Sequence, residues 1–206
     1  VLDIGVGANC IYPIIGTKEY GWRFVGVDTD PVAVRSANHI VKVNGALTGA
    51  IECRLQPVAS NIFTGIVKAQ EKFDVTMCNP PFHSSLSEAR EGTRRKWKNL
   101  GIKGRSAPVL NFGGQNTELW CKGGEEAFVR TMIEQSAGLQ SRCFWFTTLL
   151  AKSAHLPAVQ KALQKVKPAE VRIIGMAQGQ KVSRIVAWTF LSKEQRQEWR
   201  MTHWKA

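Results

Sequence analysis

The stretch Val1-Leu2-Asp3-Ile4-Gly5-Val6-Gly7-Ala8-Asn9 decides the fold. Its first four residues read as a buried strand that runs straight into a turn with two glycines in the spacing D-x-G-x-G. Glycines at such a turn let the main chain approach a ligand closely where a side chain would collide. In an open α/β sheet, ligands gather at the carboxyl ends of the strands, where the topology switches. Cys10 stands where the dinucleotide pattern G-x-G-x-x-G needs its third glycine, so a pyrophosphate has only a weak claim on this loop. A chain that opens inside its first core strand is expected to continue upstream in the natural protein.

Working outward, apolar runs alternate with amphipathic stretches. Strands are expected at 1–4, 23–28, 50–55, 73–78, 142–149, 171–176 and 184–191, and helices at 12–20, 31–44, 62–68, 124–136 and 156–165. The second helix has Pro31 in its first turn and an Asn-Gly stop at Asn44-Gly45. Strands that alternate with helices imply right-handed crossovers and a mostly parallel sheet. The link 177–183 has no room for a helix, so the last two strands should form an antiparallel hairpin. The expected fold class is therefore α/β, a sheet of seven mostly parallel strands with a C-terminal antiparallel hairpin in one domain over 1–206, a layout that resembles the Rossmann-like class I methyltransferase sheet. The stretch 84–122 is polar, glycine-rich and weakly periodic, and reads as a basic insertion: a functional loop or lid, or a partly disordered segment.

Composition narrows the partners. The chain of 206 residues carries 28 Lys and Arg against 16 Asp and Glu, a net charge of +12, which favours a polyanion such as nucleic acid over a membrane. No apolar run approaches the roughly 18 residues of a membrane span, and no signal-peptide pattern is visible. The five cysteines form no C-x-x-C pair and mostly sit in apolar surroundings. They read as reduced core residues of a cytoplasmic protein, with no metal site.

Asp28 ends the second strand 21 residues past Gly7. An acidic residue there accepts hydrogen bonds from both ribose hydroxyls and repels a 2′-phosphate. The expected cofactor is a nucleoside with free ribose hydroxyls; S-adenosylmethionine fits best, with NAD the alternative. Asp3 can meet the amino-acid part of the cofactor, directly or through water. The segment 57–62 after the third strand should border the cofactor's adenine, with Ser60 as the candidate contact.

The fourth strand runs into Asn79-Pro80-Pro81-Phe82. Two prolines fix the backbone and remove two N–H donors, which leaves a rigid mouth rich in acceptors. An adenine amine offers two N–H donors and is a poor nucleophile, because its lone pair is delocalised into the ring. The Asn79 side-chain oxygen and the Pro80 carbonyl can each take one of its hydrogen bonds, and Phe82 can stack on the base. The chemistry is positioning and electrostatics, without covalent or metal catalysis. His83 next door is read as an exposed or loop-anchoring residue rather than a base. Just past the tetrad come Arg90, Arg94, Arg95, Lys96, Trp97, Lys98, Lys103 and Arg105. Basic residues neutralise phosphates and an aromatic stacks on an unpaired base, so Arg94, Arg95, Lys96, Trp97 and Lys98 are candidate RNA contacts. A weaker tail cluster, Arg196, Trp199, Arg200, Trp204 and Lys205, is equally explained by a C-terminal helix that docks its tryptophans on the body.

Together these residues resemble the adenine-N6 methyltransferases that act on structured RNA, closest to the bacterial 23S ribosomal RNA family, with eukaryotic relatives that modify a small nuclear RNA. The resemblance covers essentially the whole chain. It is carried by VLDIGVGANCIYP at 1–13, by Asn79-Pro80-Pro81-Phe82, by the G-G…T-E-L…G-G-E…F-V pattern of 113–129, by the Trp145 strand, and by Gln178-Gly179 and Ala187-Trp188. It implies that Gly5, Gly7 and Asn9 line S-adenosylmethionine, that Asp28 binds its ribose, and that Asn79 to Phe82 hold the target adenine. The implied partner is 23S ribosomal RNA or an assembling large ribosomal subunit. Family members carry a basic N-terminal region ahead of the first strand, which this sequence lacks. Methylation of a protein glutamine and of DNA adenine are rival enzyme readings. An inactive RNA-binding module is the rival of another class, and the complete glycine and Asn-Pro-Pro motifs speak against it.

Overall fold

The computed structural model describes residues 1–81, 121–178 and 181–204. Seven strands form one sheet in the order β3-β2-β1-β4-β5-β7-β6. They are β1 (Leu2–Ile4), β2 (Phe24–Asp28), β3 (Ile51–Leu55), β4 (Phe73–Cys78), β5 (Cys143–Leu150), β6 (Glu170–Gln178) and β7 (Lys181–Thr189). Strands β1 to β5 pair in parallel, while β7 lies antiparallel to both β5 and β6. The expected fold and its terminal hairpin are both present.

Among the described residues the helices are α1 (Ile11–Tyr20), α2 (Pro31–Val43), α3 (Gly124–Ser136), α4 (Leu156–Val166) and α5 (Lys193–His203). Helix α2 starts where Asp30 accepts the Val32 N–H at 2.8 Å with proline following, a cap that satisfies a donor the helix cannot. Helix α5 starts with a complete capping box, Ser192 and Gln195 each bonding the other's backbone.

The segment 62–68 is not the expected helix. Gly65 takes φ +86°, a left-handed conformation that interrupts any helical run. The segment folds instead as turns that bury Ile62, Phe63 and Ile66 in the core. Its apolar spacing is thus met by packing rather than by a helix.

Strand residues alternate between two cores. Leu2, Ile4, Val25 and Val27 join Val129, Met132, Ile133, Val159 and Leu163 of α3 and α4, whereas Phe24, Ile51 and Cys53 join Val34, Ala37 and Val41 of α2. This is the period-2 pattern of a sheet covered on both faces. Trp188 is wholly buried, stacked on Phe146 with ring centroids 5.6 Å apart, and its indole N–H donates to the Ser136 hydroxyl at 2.9 Å. The tail tryptophans dock on the body: Trp199 and Trp204 both donate to Asp74 Oδ1, at 2.7 and 2.6 Å, and Arg196 pairs with Glu170. The tail cluster is therefore a packed helix. Among the described residues, no helix is long and apolar enough to cross a membrane.

Candidate active site

The carboxyl ends of the five parallel strands lie along one edge of the sheet, and the candidate residues follow several of them. The turn after β1 turns back on β2, where Gly5 and Val6 donate their N–H groups to the Val27 carbonyl at 2.8 and 2.9 Å. Gly5 and Gly7 sit at φ +80° and +65°, which favour glycine. Cys10 takes φ +51°, so the position of the missing third glycine keeps the backbone conformation a glycine would take. Gly26 on β2 has a separate reason: a Cβ there would lie 2.7 Å from Val6 Cγ2, so the turn needs the bare backbone beneath it.

Asp28 is buried at the end of β2. Its Oδ2 accepts the Gly7 N–H at 3.0 Å and its Oδ1 accepts the Asp30 N–H at 2.9 Å. Burial raises its pKa; the backbone donors oppose that, and the Asp30 charge adds to it. A carboxylate has acceptor capacity beyond these bonds.

Asp3 is fully buried at the middle of β1, and neither carboxylate oxygen has a hydrogen-bond partner among the described residues. Burial, and then the Asp28 charge, push its carboxyl up to about 7. A buried carboxyl left without a donor is costly unless something else supplies one. Here that cost falls beside a glycine turn built for close approach.

Asn79 lies one residue past the register pair Ile4↔Cys78, so it leaves β4 at the level where Gly5 leaves the neighbouring β1. It is exposed, while Pro80 is buried and Pro81 half-buried. Burial raises the pKa of the Tyr12 phenol in the first turn of α1, and the Asn79 side chain opposes that shift. The glycine turn and the Asn-Pro-Pro segment therefore leave neighbouring strands at the same end of the sheet. Phe82, His83 and the basic stretch with Arg94, Arg95, Lys96, Trp97 and Lys98 lie outside the described residues, as does most of the expected insertion 84–122.

The segment after β3 is pinned by two glutamines. The buried Gln56 accepts from Val58 N–H at 3.1 Å and donates to the Thr64 carbonyl at 2.9 Å. Gln135 of α3 donates to the Ser60 carbonyl at 2.7 Å and accepts from Ile62 N–H at 2.8 Å. Ser60 is exposed, and its carbonyl is the group so engaged. Asn9 is exposed at the tip of the turn.

Three residues of the site were missed as site residues in the sequence: Tyr12, Gln56 and Glu125. Tyr12 and Glu125 fall inside stretches quoted above, but a tyrosine after Ile11 or a glutamate after two glycines reads as surface. Glu125 is instead fully buried in the first turn of α3. It accepts the Ala151 and Lys152 N–H groups at 2.5 and 3.1 Å and holds His155 Nδ1 at 2.8 Å, which fixes the segment after β5.

Comparison with known proteins follows this geometry. The family model described as RNA methyltransferase matches residues 1–192. The chain belongs to this RNA methyltransferase family. Proteins named ribosomal RNA large subunit methyltransferase F are similar to it over its full length, at 53% identity in both Photobacterium profundum and Pseudomonas aeruginosa. The chain spans 65% and 62% of the length of those two relatives. Among solved structures, the human METTL16 catalytic domain in complex with MAT2A 3'UTR hairpin 1 matches with TM-score 0.73 and 27% identity, over 93% of this chain and 64% of that one. The N-terminal domain of human METTL16 in complex with SAH matches with TM-score 0.68 and 25% identity, over 93% of this chain and 61% of that one. The fold of this chain thus matches these solved structures, and the glycine turn and Asn79-Pro80-Pro81 lie inside the residues that the family model matches.

Proposed function

We propose that this chain is the catalytic domain of an S-adenosylmethionine-dependent enzyme that methylates the N6 amine of an adenine in 23S ribosomal RNA. The observation that carries this reading is the register pair Ile4↔Cys78, after which Gly5 and Asn79 leave neighbouring strands at the same end of the sheet. It supports an acceptor-lined mouth next to a glycine turn backed by Asp28. The names of the relatives support ribosomal RNA as the substrate, and the SAH complex of a structural neighbour supports the cofactor. The charge of +12 suits a polyanionic partner.

The residues present fit the cofactor. The orphaned Asp3 carboxyl suits the cationic amino-acid end, because an approaching ammonium supplies the missing donor and favours the ionised form. Gly5 and Gly7 leave room for the ligand backbone, with Asn9 at the rim. Asp28 keeps lone pairs for the ribose hydroxyls, and Ser60 borders the adenine end. S-adenosylmethionine supplies a methyl group on a positively charged sulfur.

The remaining work falls to the mouth. The Asn79 side-chain oxygen and the Pro80 carbonyl accept the two N–H bonds of the target amine and aim its nitrogen at the methyl. They also favour its change toward tetrahedral geometry, where the lone pair is released from the ring. Phe82 stacks on the base, which must first leave any stack; an unpaired or bulged adenine lowers that cost. The product ammonium loses its proton to water. Arg94, Arg95, Lys96, Trp97 and Lys98 hold the flanking RNA. The setting is the cytoplasm, with naked RNA or an assembling large subunit as substrate.

The deciding experiment incubates the full-length protein with labelled S-adenosylmethionine and separate pools of RNA, DNA and protein. Label on adenine N6 of 23S ribosomal RNA is the expected result. Label only on DNA or on a protein glutamine overturns the reading.

A further inference from the structure

Buried polar atoms without a hydrogen-bond partner among the described residues are of two kinds. The Asp3 and Asp30 oxygens are acceptors. Arg184 Nη1 is a donor, and it belongs to a guanidinium, a cation that can only donate. Other arginines that lie against the body are paired: Arg54 sits between Glu52 and Glu71, and Arg196 meets Glu170. A buried charged donor with no acceptor is costly. The sheet around Arg184 supplies none, so the fold keeps a cationic donor in reserve there.

The register says where that donor stands. Leu150↔Arg184 is the last pair between β5 and β7, and Leu150 is the last residue of β5. Counting on from Val75↔Trp145 puts Cys78, the end of β4, level with Thr148. Leu150 and Arg184 therefore lie at the end of the sheet from which the Asn-Pro-Pro segment departs. Strand residues alternate in face, so Arg184 shares the face of Val186 and Trp188, which with Leu150 belong to the core under α3 and α4. Val186 is wholly buried and Arg184 is half-buried, so this core runs out at Arg184. Past it, β6 and β7 stay paired as far as Gln178↔Lys181, a ribbon that continues beyond the end of β5.

We infer that Arg184 binds an RNA phosphate that flanks the target adenosine. The assignment rests on the reading of the chain as an RNA adenine methyltransferase and adds a substrate-binding residue to it. Strands β4 and β7 lie on either side of β5, two strand spacings or about 10 Å apart. That is close to the span of one nucleotide from its base amine to its phosphate. A base whose amine meets Asn79 thus brings its own backbone toward β7. A guanidinium matches a phosphate by two parallel N–H bonds, and this pairing supplies the acceptor that Nη1 lacks. The site then holds two complementary orphans: a carboxyl at Asp3 for the cationic end of the cofactor, and a guanidinium at Arg184 for the anionic backbone of the RNA.

The test uses Arg184→Met in the full-length protein, which keeps an unbranched stem and removes the charge. KM for RNA should rise about tenfold, the ordinary worth of one charge-assisted hydrogen bond, with kcat within about twofold. The slope of log affinity against log salt should shrink by about 0.7 to 0.9, one phosphate contact. An unchanged KM for RNA overturns the inference. So does a loss of S-adenosylmethionine affinity in place of RNA affinity, which would give the guanidinium to the cofactor's carboxylate.

Two further readouts separate contact from structure. The unfolding midpoint of RNA-free Arg184→Met should not fall, because the wild-type Nη1 has no partner to lose; a lowered midpoint marks Arg184 as structural and overturns the inference. A short RNA with uncharged methylphosphonates on both sides of the methylated adenosine should bind wild type at least about tenfold more weakly than natural RNA. Arg184→Met should lose correspondingly less on the same change of RNA, and equal losses in the two proteins overturn the inference. Failure of the underlying reading is distinguishable, because it leaves wild type itself without adenine methylation in RNA.

Discussion

The carboxylate of Asp28 accepts the backbone N–H of Gly7 at 3.0 Å. The residue assigned to the ribose is thus also a brace for the turn that meets the rest of the cofactor. Asp28→Ala should remove both effects, and binding of S-adenosylmethionine should weaken by at least about thirtyfold, or ~2 kcal/mol. Calorimetry with the cofactor checks this, and unchanged affinity would misplace the ribose site.

Asp3 gives a pH signature. Its carboxyl titrates near 7 in the fold against 3.8 for the ordinary residue, so between those values the folded state holds the extra proton. Stability of the cofactor-free protein should fall as pH rises from about 4 to about 7 and level off above. Asp3→Asn should lose this slope and gain roughly 4 kcal/mol over wild type at pH 8, while binding S-adenosylmethionine more weakly. Urea unfolding at pH 5 and pH 8 provides the comparison.

Asn79→Ala should abolish methyl transfer, with a loss of at least about a hundredfold in kcat. Cofactor affinity should hardly move, because the side chain is exposed and its assigned work is on the target amine. Full activity in that variant would remove the mechanism.

Glu125 stands apart from the chemistry but carries two backbone donors and His155 from a fully buried position. Its replacement by alanine leaves those N–H groups without an acceptor, and should cost about 3 kcal/mol of stability. A denaturation midpoint that does not shift would show that water takes over the carboxylate's place.

Neutralising Arg94, Arg95 and Lys96 together should weaken RNA binding most at low salt and flatten the salt dependence, since each removes a phosphate partner. Filter binding across a salt series measures this. A loss that does not vary with salt would point to misfolding.

Much of the architecture was legible because it rests on local signals. The alternation of strands, the Pro31 start of α2 and the short link before β7 each have a direct backbone cause. The tetrad and Asp28 were legible because their spacing from the glycine turn is set by strand length. The error at 62–68 has an equally plain origin: apolar residues at helical spacing are satisfied as well by turns around Gly65, and a seven-residue segment has too little propagation to resist one left-handed glycine. Glu125 escaped notice because its partners Ala151, Lys152 and His155 lie 26 to 30 residues further along the chain. A residue pattern does not encode which distant backbone donors a buried glutamate will meet. The capping box at Ser192, by contrast, was present in the sequence as S-x-x-Q and marks α5.

Strand β4 is held unequally by its two neighbours. Toward β1 its register runs unbroken to Cys78, the residue before the mouth. Toward β5 the register ends at Val75↔Trp145, and the next tie is a clasp of hydroxyls in which Thr147 N–H donates to Thr76 Oγ1 at 3.0 Å and Thr147 Oγ1 donates to the Thr76 carbonyl at 2.6 Å. Strand β4 is thus tied on both sides just before the mouth, by the ladder toward β1 and by threonine side chains toward β5, so Asn79 departs from a strand end that neither neighbour leaves loose.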